Sequence, residues 1–218
     1  MGLRNLIRNA IFRRYPGLYW RRRAASYYVH REESGYLRLV HEAIVDRVVS
    51  LRPARVLEYG VGNASLLKKI HDRLPEAQYW GTDVSTAHLE AARQRFPEAI
   101  FSAGDLRQLE YADNSFDVVI GVGVLIYLPA RTRPRAFREL HRVTKGHVIA
   151  AEYITKYFDD EMLRRYRNVA DFRTDYDIEG CFRVAGFTSV EVCKLDAAWS
   201  PTTNPLGGLP HGIIVARK

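Results

Sequence analysis

The chain has 218 residues, and 33 lysines and arginines against 25 aspartates and glutamates give it a formal net charge of +8 at pH 7. Hydrophobic residues make up 47% of the chain, which is enough for one substantial core and excludes a wholly disordered protein. This length fits one large domain or two small ones. The apolar runs fall far short of the ~20 residues that a membrane-spanning helix needs.

The positive charge is concentrated in the N-terminal segment. Residues 1–31 contain eight arginines and no acidic residue, so this segment alone carries the whole excess. Subtracting these eight from the total of 33 leaves 25 basic residues, which balance the 25 acidic ones. Nucleic-acid-binding domains usually carry a basic face over the whole domain. The neutral body therefore argues against a nucleic-acid partner.

Two cysteines and seven histidines offer little for a metal site. Cys181 and Cys193 are too few for a disulfide framework or a cysteine zinc site, and they are predicted to be reduced thiols in a cytoplasmic protein. No pair of histidines shows a convincing metal-ligand spacing. Three of them (His71, His88 and His141) fall within helix patterns and are predicted to lie on the surface. We therefore expect a reaction without a metal.

The N-terminal segment is predicted to be helical. Residues 3–11 place apolar side chains at helical spacing, and Pro16 ends this helix. The flanking arginines leave three alternatives open for residues 1–14: contact with a membrane surface, part of a transit peptide, or packing on the chain's own domain. A second helix is predicted over residues 36–51.

After Pro53 the pattern changes to alternating strands and helices. Strands are predicted at residues 55–60, 78–83, 99–105, 116–123 and 146–153, and helices at residues 64–74, 85–96 and 131–144. This order predicts a parallel sheet with helices on both faces. The last third is predicted to contain a helical stretch (159–185) and two more strands (187–195 and 212–218).

Three consecutive strand ends carry residues typical of a nucleotide site. Gly60 and Gly62 follow the first strand and permit a tight turn before a helix N-terminus. Asp83 ends the second strand about 20 residues after Gly62, the spacing at which an acid accepts ribose hydroxyls. Asp105 ends the third strand, where a carboxylate can meet an adenine amino group. Because ligands bind at the carboxyl ends of such strands, the three together predict one site.

Two residues argue against a dinucleotide. Ser65 stands where the third glycine of the dinucleotide fingerprint would be. Glu58, two residues before Gly60, would repel a pyrophosphate. A cofactor with a positive centre would be attracted to that carboxylate. S-adenosylmethionine (SAM), with its sulfonium and α-ammonium groups, fits this description.

The segments VLEYGVGNAS, YWGTDVS, SAGDL and FDVVIGVGVLIYL resemble the class I SAM-dependent methyltransferase family over about residues 54–195, with residues 212–218 as its last strand. The resemblance implies an α/β fold with a doubly wound, mostly parallel seven-stranded sheet and a final antiparallel strand. It implies a SAM-binding domain at residues 53–218, preceded by a basic helical arm at residues 1–52. The residues that would line the cofactor are Glu58, Gly60, Gly62, Asn63, Asp83, Val84, Asp105, Leu106 and Gly121. Glu58 replaces the commoner Asp of the family.

A narrower likeness concerns the acceptor. Residues 114–153 are similar to methylases associated with pseudaminic acid and other surface-sugar biosynthesis, which would imply a small hydroxylated or aminated metabolite as methyl acceptor. Alternatives that stay open are a nucleic-acid or protein methyltransferase, an aminopropyl transferase, and a SAM-binding partner protein without catalysis.

Candidate catalytic and substrate residues follow from strand ends and from the arm. Glu152 closes the fifth strand beside the expected methyl position and is the first candidate for a base. The other catalytic candidates are Tyr127 and His211. The candidate substrate residues are Tyr28 and His30 in the arm, which could form a lid, and Tyr153.

Overall fold

The computed structural model describes residues 35–154, 177–195 and 211–218, with Trp20 and Asp160 as single helical positions. The described elements, in chain order, are α1 (Gly35–Leu51), β1 (Arg55–Tyr59), α2 (Ser65–Arg73), β2 (Gln78–Asp83), α3 (Thr86–Arg95), β3 (Ile100–Ala103), β4 (Phe116–Val122), a 3₁₀ turn (Leu125–Tyr127), α4 (Arg133–Val143), β5 (Thr144–Tyr153), α5 (Ile178–Val184), β6 (Ser189–Lys194) and β7 (His211–Arg217).

The seven described strands form one sheet in the order β3-β2-β1-β4-β5-β7-β6. The first five pair in parallel, whereas β7 is antiparallel to both β5 and β6. The predicted fold class is therefore confirmed. The strand order reverses between β1 and β4, and this reversal opens a crevice at their carboxyl ends, where ligands bind in such sheets.

Each face of the sheet has its own hydrophobic core. Alternate residues of a strand point to opposite faces, so Val56 belongs to one cluster and Leu57 to the other. Helices α1, α2 and α3 cover the face of Val56, and α4 and α5 cover the face of Leu57. Helix α1 thus packs on the sheet, although it was predicted within the arm. The domain division at residue 52 stays a prediction.

The predicted elements agree with the described ones to within a few residues, since strong periodic patterns specify both strands and helices. The predicted helix at residues 3–11 and most of the predicted helical stretch 159–185 lie outside the described residues. In the part of the chain that the structure describes, no helix has the length and apolar character needed to cross a membrane.

A polar contact near the protein surface joins the amino ends of β1 and β4. The Oδ2 atom of Asp117 in β4 accepts hydrogen bonds from the backbone N–H groups of Ala54 and Arg55, both at 3.0 Å. A carboxylate that accepts backbone N–H groups forms a strong, charge-assisted contact. It fixes β4 beside the start of β1, at the end of the sheet opposite the crevice.

Candidate active site

The turn after β1, residues 60–64, is here called the glycine loop. Gly60, Gly62 and Ala64 have φ angles of 59°, 55° and 59°. Glycine adopts these left-handed angles without strain, which explains two of the three residue choices. The backbone N–H of Val61 donates to the Thr82 carbonyl at 3.0 Å, so the loop is attached to the end of β2.

Glu58 is the acidic group nearest in sequence to this loop. Its side chain is buried, with the residue only 4% exposed, and its Oε2 atom has no hydrogen-bond partner among the described residues. Burial raises the pKa of Glu58 well above its usual range, a hydrogen bond from the Leu67 backbone opposes this shift, and the nearby Asp83 adds to it. A buried carboxylate oxygen without a partner is costly unless a cation or a hydrogen-bond donor binds it.

Asp83 joins the end of β2 to the glycine loop. Its Oδ2 accepts the Gly62 N–H at 3.0 Å, and its Oδ1 accepts the Ser85 N–H at 2.8 Å. His88 Nδ1 lies 3.2 Å from the same Oδ2. A carboxylate has about four acceptor sites, so these three contacts leave about one for a ligand hydroxyl.

The prediction that His88 lies on the surface is wrong. The residue is 4% exposed, because the first turn of α3 folds back on the end of β2 and brings His88 against Asp83. The sequence signal was available, since a residue five positions after a strand-end acid, in the first turn of the next helix, faces that strand end.

Asp105 follows β3 and pairs with Arg107. Its Oδ1 accepts the Arg107 backbone N–H at 2.9 Å and the Nε–H at 2.8 Å, and a second guanidinium nitrogen contacts Oδ2. Burial alone would raise the pKa of Asp105, but the hydrogen bonds and charge of Arg107 lower it below its ordinary value. Asp105 therefore reaches any adenine as a carboxylate already paired with arginine, a partner that the sequence analysis missed.

Gly121 packs against an aromatic ring. A Cβ atom built on Gly121 would lie 2.2 Å from Tyr59 Cζ. The side-chain direction of Gly121 is therefore filled by Tyr59, a fully buried residue that the sequence analysis did not single out. The predicted cofactor contact of Gly121 stays a prediction for its backbone.

The residues that follow β4, residues 124–127, are here called the β4 turn. Glu152, at the end of β5, is 0% exposed and directs both carboxylate oxygens at this turn. Its Oε1 accepts the N–H groups of Val124 and Leu125, both at 2.8 Å, and its Oε2 accepts that of Ile126 at 3.4 Å. The predicted base is thus bound to backbone amides, and the sequence analysis did not foresee these partners.

The burial of Glu152 has a consequence for stability. Burial raises its pKa to about 7, although the three backbone hydrogen bonds act in the opposite direction. Between pH 4.5 and about 7 the native state therefore holds a proton that the unfolded state has lost. Stability falls as pH rises wherever the native state binds more protons.

We expect the free energy of unfolding of the wild type, relative to Glu152→Gln, to fall as pH rises from 4.5 to about 7 and then to level off. Chemical denaturation of both proteins across this range measures the difference, and groups that titrate equally in both proteins cancel. A difference that does not change with pH would contradict this expectation.

Trp20 contacts both sides of the crevice. Its ring centroid lies 5.2 Å from that of Tyr127 in an edge-on arrangement and 6.5 Å from that of His88. Tyr127 belongs to the β4 turn and His88 lies beside Asp83. Trp20, which the sequence analysis did not select, contacts these two side chains from within the predicted arm, and the covering of the site by the arm stays a prediction.

The remaining predicted site residues occupy different positions. Asn63, in the glycine loop after β1, and Leu106, three residues after β3, are buried. Val84, directly after β2, is partly buried. Tyr153 is buried in the hydrophobic core, and its contact with substrate stays a prediction. His211 begins β7 opposite Tyr153, although its side chain is not described. Tyr28 and His30 lie outside the described residues.

Among residues 35–154, 177–195 and 211–218, no three histidine, cysteine, aspartate or glutamate side chains form a group that could hold a metal ion. A reaction without a metal stays a prediction for the chain as a whole.

Comparison with known proteins decides the family. Residues 56–147, from β1 into β5, match a family model described as a methyltransferase domain. Residues 56–147 are a methyltransferase domain. The matched segment contains the glycine loop, Asp83 and the β4 turn. The likeness to surface-sugar methylases stays a prediction.

Curated relatives of this methyltransferase domain are identical to the chain at between a quarter and a third of the aligned positions. The chain is 29% identical over 182 residues to a malonyl-[acyl-carrier protein] O-methyltransferase of Geobacter sulfurreducens, covering 72% of this chain and 66% of that protein. It is 27% identical over 129 residues to a demethylmenaquinone methyltransferase of Thermotoga maritima, covering 56% of this chain and 55% of that protein. The chain thus spans about half to two thirds of the length of these two relatives.

Solved structures show the same fold. The magnesium protoporphyrin IX methyltransferase of Synechocystis PCC 6803, with bound S-adenosylhomocysteine (SAH), superposes with a TM-score of 0.64 at 20% identity. The superposition covers 98% of this chain and 99% of that one. At this identity the likeness shows the fold alone.

The geometry of the site fits SAM, the cofactor of this family. The buried Oε2 atom of Glu58 suits a cationic group such as the α-ammonium, because pairing with a cation relieves the cost of its burial. The glycine loop has no side chain at Gly62, so a ligand can approach its backbone closely there. Asp83 has about one acceptor site left for a ribose hydroxyl. These residues would hold the cofactor.

Proposed function

We propose that this chain is an enzyme that transfers a methyl group from SAM to an oxygen or nitrogen of a small metabolite. The observation that carries the proposal is Glu58, whose buried Oε2 atom lacks a partner at the end of β1, directly before the glycine loop. A cationic ligand group is the partner that would stabilise this carboxylate. The family of residues 56–147 supports the same conclusion.

Positioning is the main contribution expected of this site. SAM supplies a methyl group that its sulfonium already activates. The chain's own residues hold and orient the reactants and exclude water, which can supply much of the acceleration of such a reaction. The contact between the rings of Trp20 and Tyr127 lies at the β4 turn, and we propose that it helps to exclude water from the site.

A small-molecule acceptor is supported by the names of the relatives. They act on a menaquinone precursor and on a malonyl group carried by a carrier protein. The neutral charge balance after residue 31 argues against a nucleic-acid acceptor. More specifically, we propose that the acceptor is rich in hydroxyl groups, such as a sugar or a natural product. Contact of residues 1–14 with an anionic membrane is a separate proposal, which rests on their arginines and apolar residues.

A screen of acceptor classes tests the proposal. The purified chain is incubated with SAM and with pools of quinols, carboxylic acids, sugars and amines, and products are detected by mass spectrometry. The proposal expects one pool to yield a product heavier by one methylene unit, together with an equal amount of SAH. Binding of SAM without methylation of any pool would contradict the proposal and favour a partner protein without catalysis.

A further inference from the structure

Glu152 holds the start of the β4 turn by its backbone. The first N–H groups of a helical turn have no partner within the turn. Here the N–H groups of Val124 and Leu125 both donate to Glu152 Oε1 at 2.8 Å, and Ile126 donates to Oε2 at 3.4 Å. The residue preceding the 3₁₀ turn, Val124, supplies no side-chain cap of its own. A carboxylate from β5 therefore caps a turn that lies 28 residues earlier in the chain.

The same turn packs against the glycine loop. A Cβ atom built on Gly60 would lie 2.4 Å from Val124 Cγ2, so the Val124 side chain covers Gly60 directly. At its other end the turn carries Tyr127, which contacts Trp20. The β4 turn thus connects the loop expected to hold the cofactor with the aromatic contact between Tyr127 and Trp20.

The hydrogen-bond geometry of Glu152, rather than its pKa of about 7, argues against a role as the base. The residue is 0% exposed, and both oxygens already accept backbone N–H groups. Tyr59 of β1 is a buried titratable group that interacts electrostatically with Glu152. Burial and the charges of Glu152 and Glu58 raise the pKa of this phenol, so it stays neutral. A base needs a lone pair directed at the reacting group, whereas these lone pairs are directed at the turn.

We propose that Glu152 is a positioning residue, which fixes the β4 turn against the glycine loop and so sets where the acceptor meets the cofactor methyl group. The proposal rests on the proposed methyltransferase function. A displacement of about 1 Å in such a site can lower turnover about a hundredfold without loss of binding. Glu152 would therefore affect kcat strongly and cofactor affinity weakly.

The test compares Glu152→Gln with a matched control. Glutamine keeps the size of the side chain but loses the charge, and its amide nitrogen cannot accept the N–H that Oε2 accepts. We expect faster hydrogen exchange at the Val124, Leu125 and Ile126 amides, and a kcat about tenfold to a hundredfold lower for the acceptor found in the screen. Affinity for SAH, measured by calorimetry, should change by less than about twofold, because no cofactor contact is removed.

The control is Asp117→Asn. Asp117 also accepts two backbone N–H groups, but at the opposite end of the sheet. This variant should lose stability while its kcat and the exchange of the β4 turn stay unchanged. Equal loss of kcat in both variants would mean that Glu152 acts only through general stability, and this would overturn the proposal.

A second variant separates positioning from base catalysis and serves if Glu152→Gln does not fold. Val124→Ala removes the side chain that covers Gly60 and leaves the carboxylate of Glu152 and its hydrogen bonds to backbone amides in place. Positioning predicts a lower kcat for Val124→Ala. Full activity of Val124→Ala would overturn the proposal. A lower kcat in Glu152→Gln with unchanged amide exchange would also overturn it. Either result would favour a role for Glu152 as the base.

The measurements distinguish a chain that transfers no methyl group from a wrong role assigned to Glu152. Amide exchange and SAH affinity need no acceptor, so they report on the β4 turn even if no methylated product is found. Faster exchange in Glu152→Gln without any methyl transfer by the wild type would support the contact and reject the enzymatic function.

Discussion

Glu58→Gln is expected to weaken binding of SAH by about tenfold to a hundredfold. A hydrogen bond to a charged group contributes about 1.5 to 3 kcal/mol, and this variant replaces a carboxylate that would pair with the α-ammonium by a neutral amide. In the wild type Glu58 accepts a hydrogen bond from the Leu67 backbone, and glutamine still offers an oxygen for this bond. The start of α2 should therefore be preserved. Calorimetric titration of wild type and variant with SAH measures the effect.

A truncated ligand provides the control for this prediction. Methylthioadenosine carries the adenosine part but lacks the amino-acid part of SAM. Its affinity should be the same for wild type and Glu58→Gln within about twofold, because the lost contact involves a group that this ligand does not have. Equal weakening for both ligands would mean that Glu58 supports the glycine loop rather than the ammonium. Unchanged affinity for SAH would remove Glu58 from the cofactor site.

Gly121→Ala is expected to lower the free energy of unfolding by about 1 to 3 kcal/mol. The added Cβ would lie 2.2 Å from Tyr59 Cζ, and the fully buried ring has no space to move. Either β4 or the ring must then shift. Urea denaturation of the variant and the wild type measures this loss.

A double-mutant cycle shows whether the loss of stability in Gly121→Ala arises from the contact with Tyr59. In a Tyr59→Leu background the ring is absent, so Gly121→Ala should cost clearly less than in the wild type. SAH affinity in that background should not change on Gly121→Ala if the residue acts by packing alone. A stability cost that is the same in both backgrounds would show that Tyr59 is not the cause.

The fold could be predicted from the sequence because local patterns determine it. Strands β1 and β4 end before a glycine and helices α2 and α3 end shortly before a proline, and these signals depend on neighbouring residues only. The positions of Glu58, Gly60 and Asp83 at strand ends could also be predicted, because parallel strands align their carboxyl ends. The pairing of β7 between β5 and β6 confirmed the implied antiparallel strand.

The partners of the site side chains could not be predicted in the same way. Glu152 was selected for its place at the end of β5, but its hydrogen bonds depend on the shape of a turn on another strand. Arg107 binds Asp105 because the backbone turns back after β3, and a strand-end pattern does not specify that turn. Trp20 reaches the crevice from a segment whose sequence left several placements open.

We propose that the carboxyl ends of β1 and β2 bind SAM. Calorimetric titration of the wild-type chain with SAH, the product of methyl transfer, tests it most directly. Asp83→Ala is the comparison, because it removes the carboxylate that joins Gly62 to the end of β2 and is expected to accept a ribose hydroxyl. We expect one binding site of micromolar affinity in the wild type and clearly weaker binding in Asp83→Ala. Absence of binding to the folded wild type, or equal affinity in the two proteins, would contradict it.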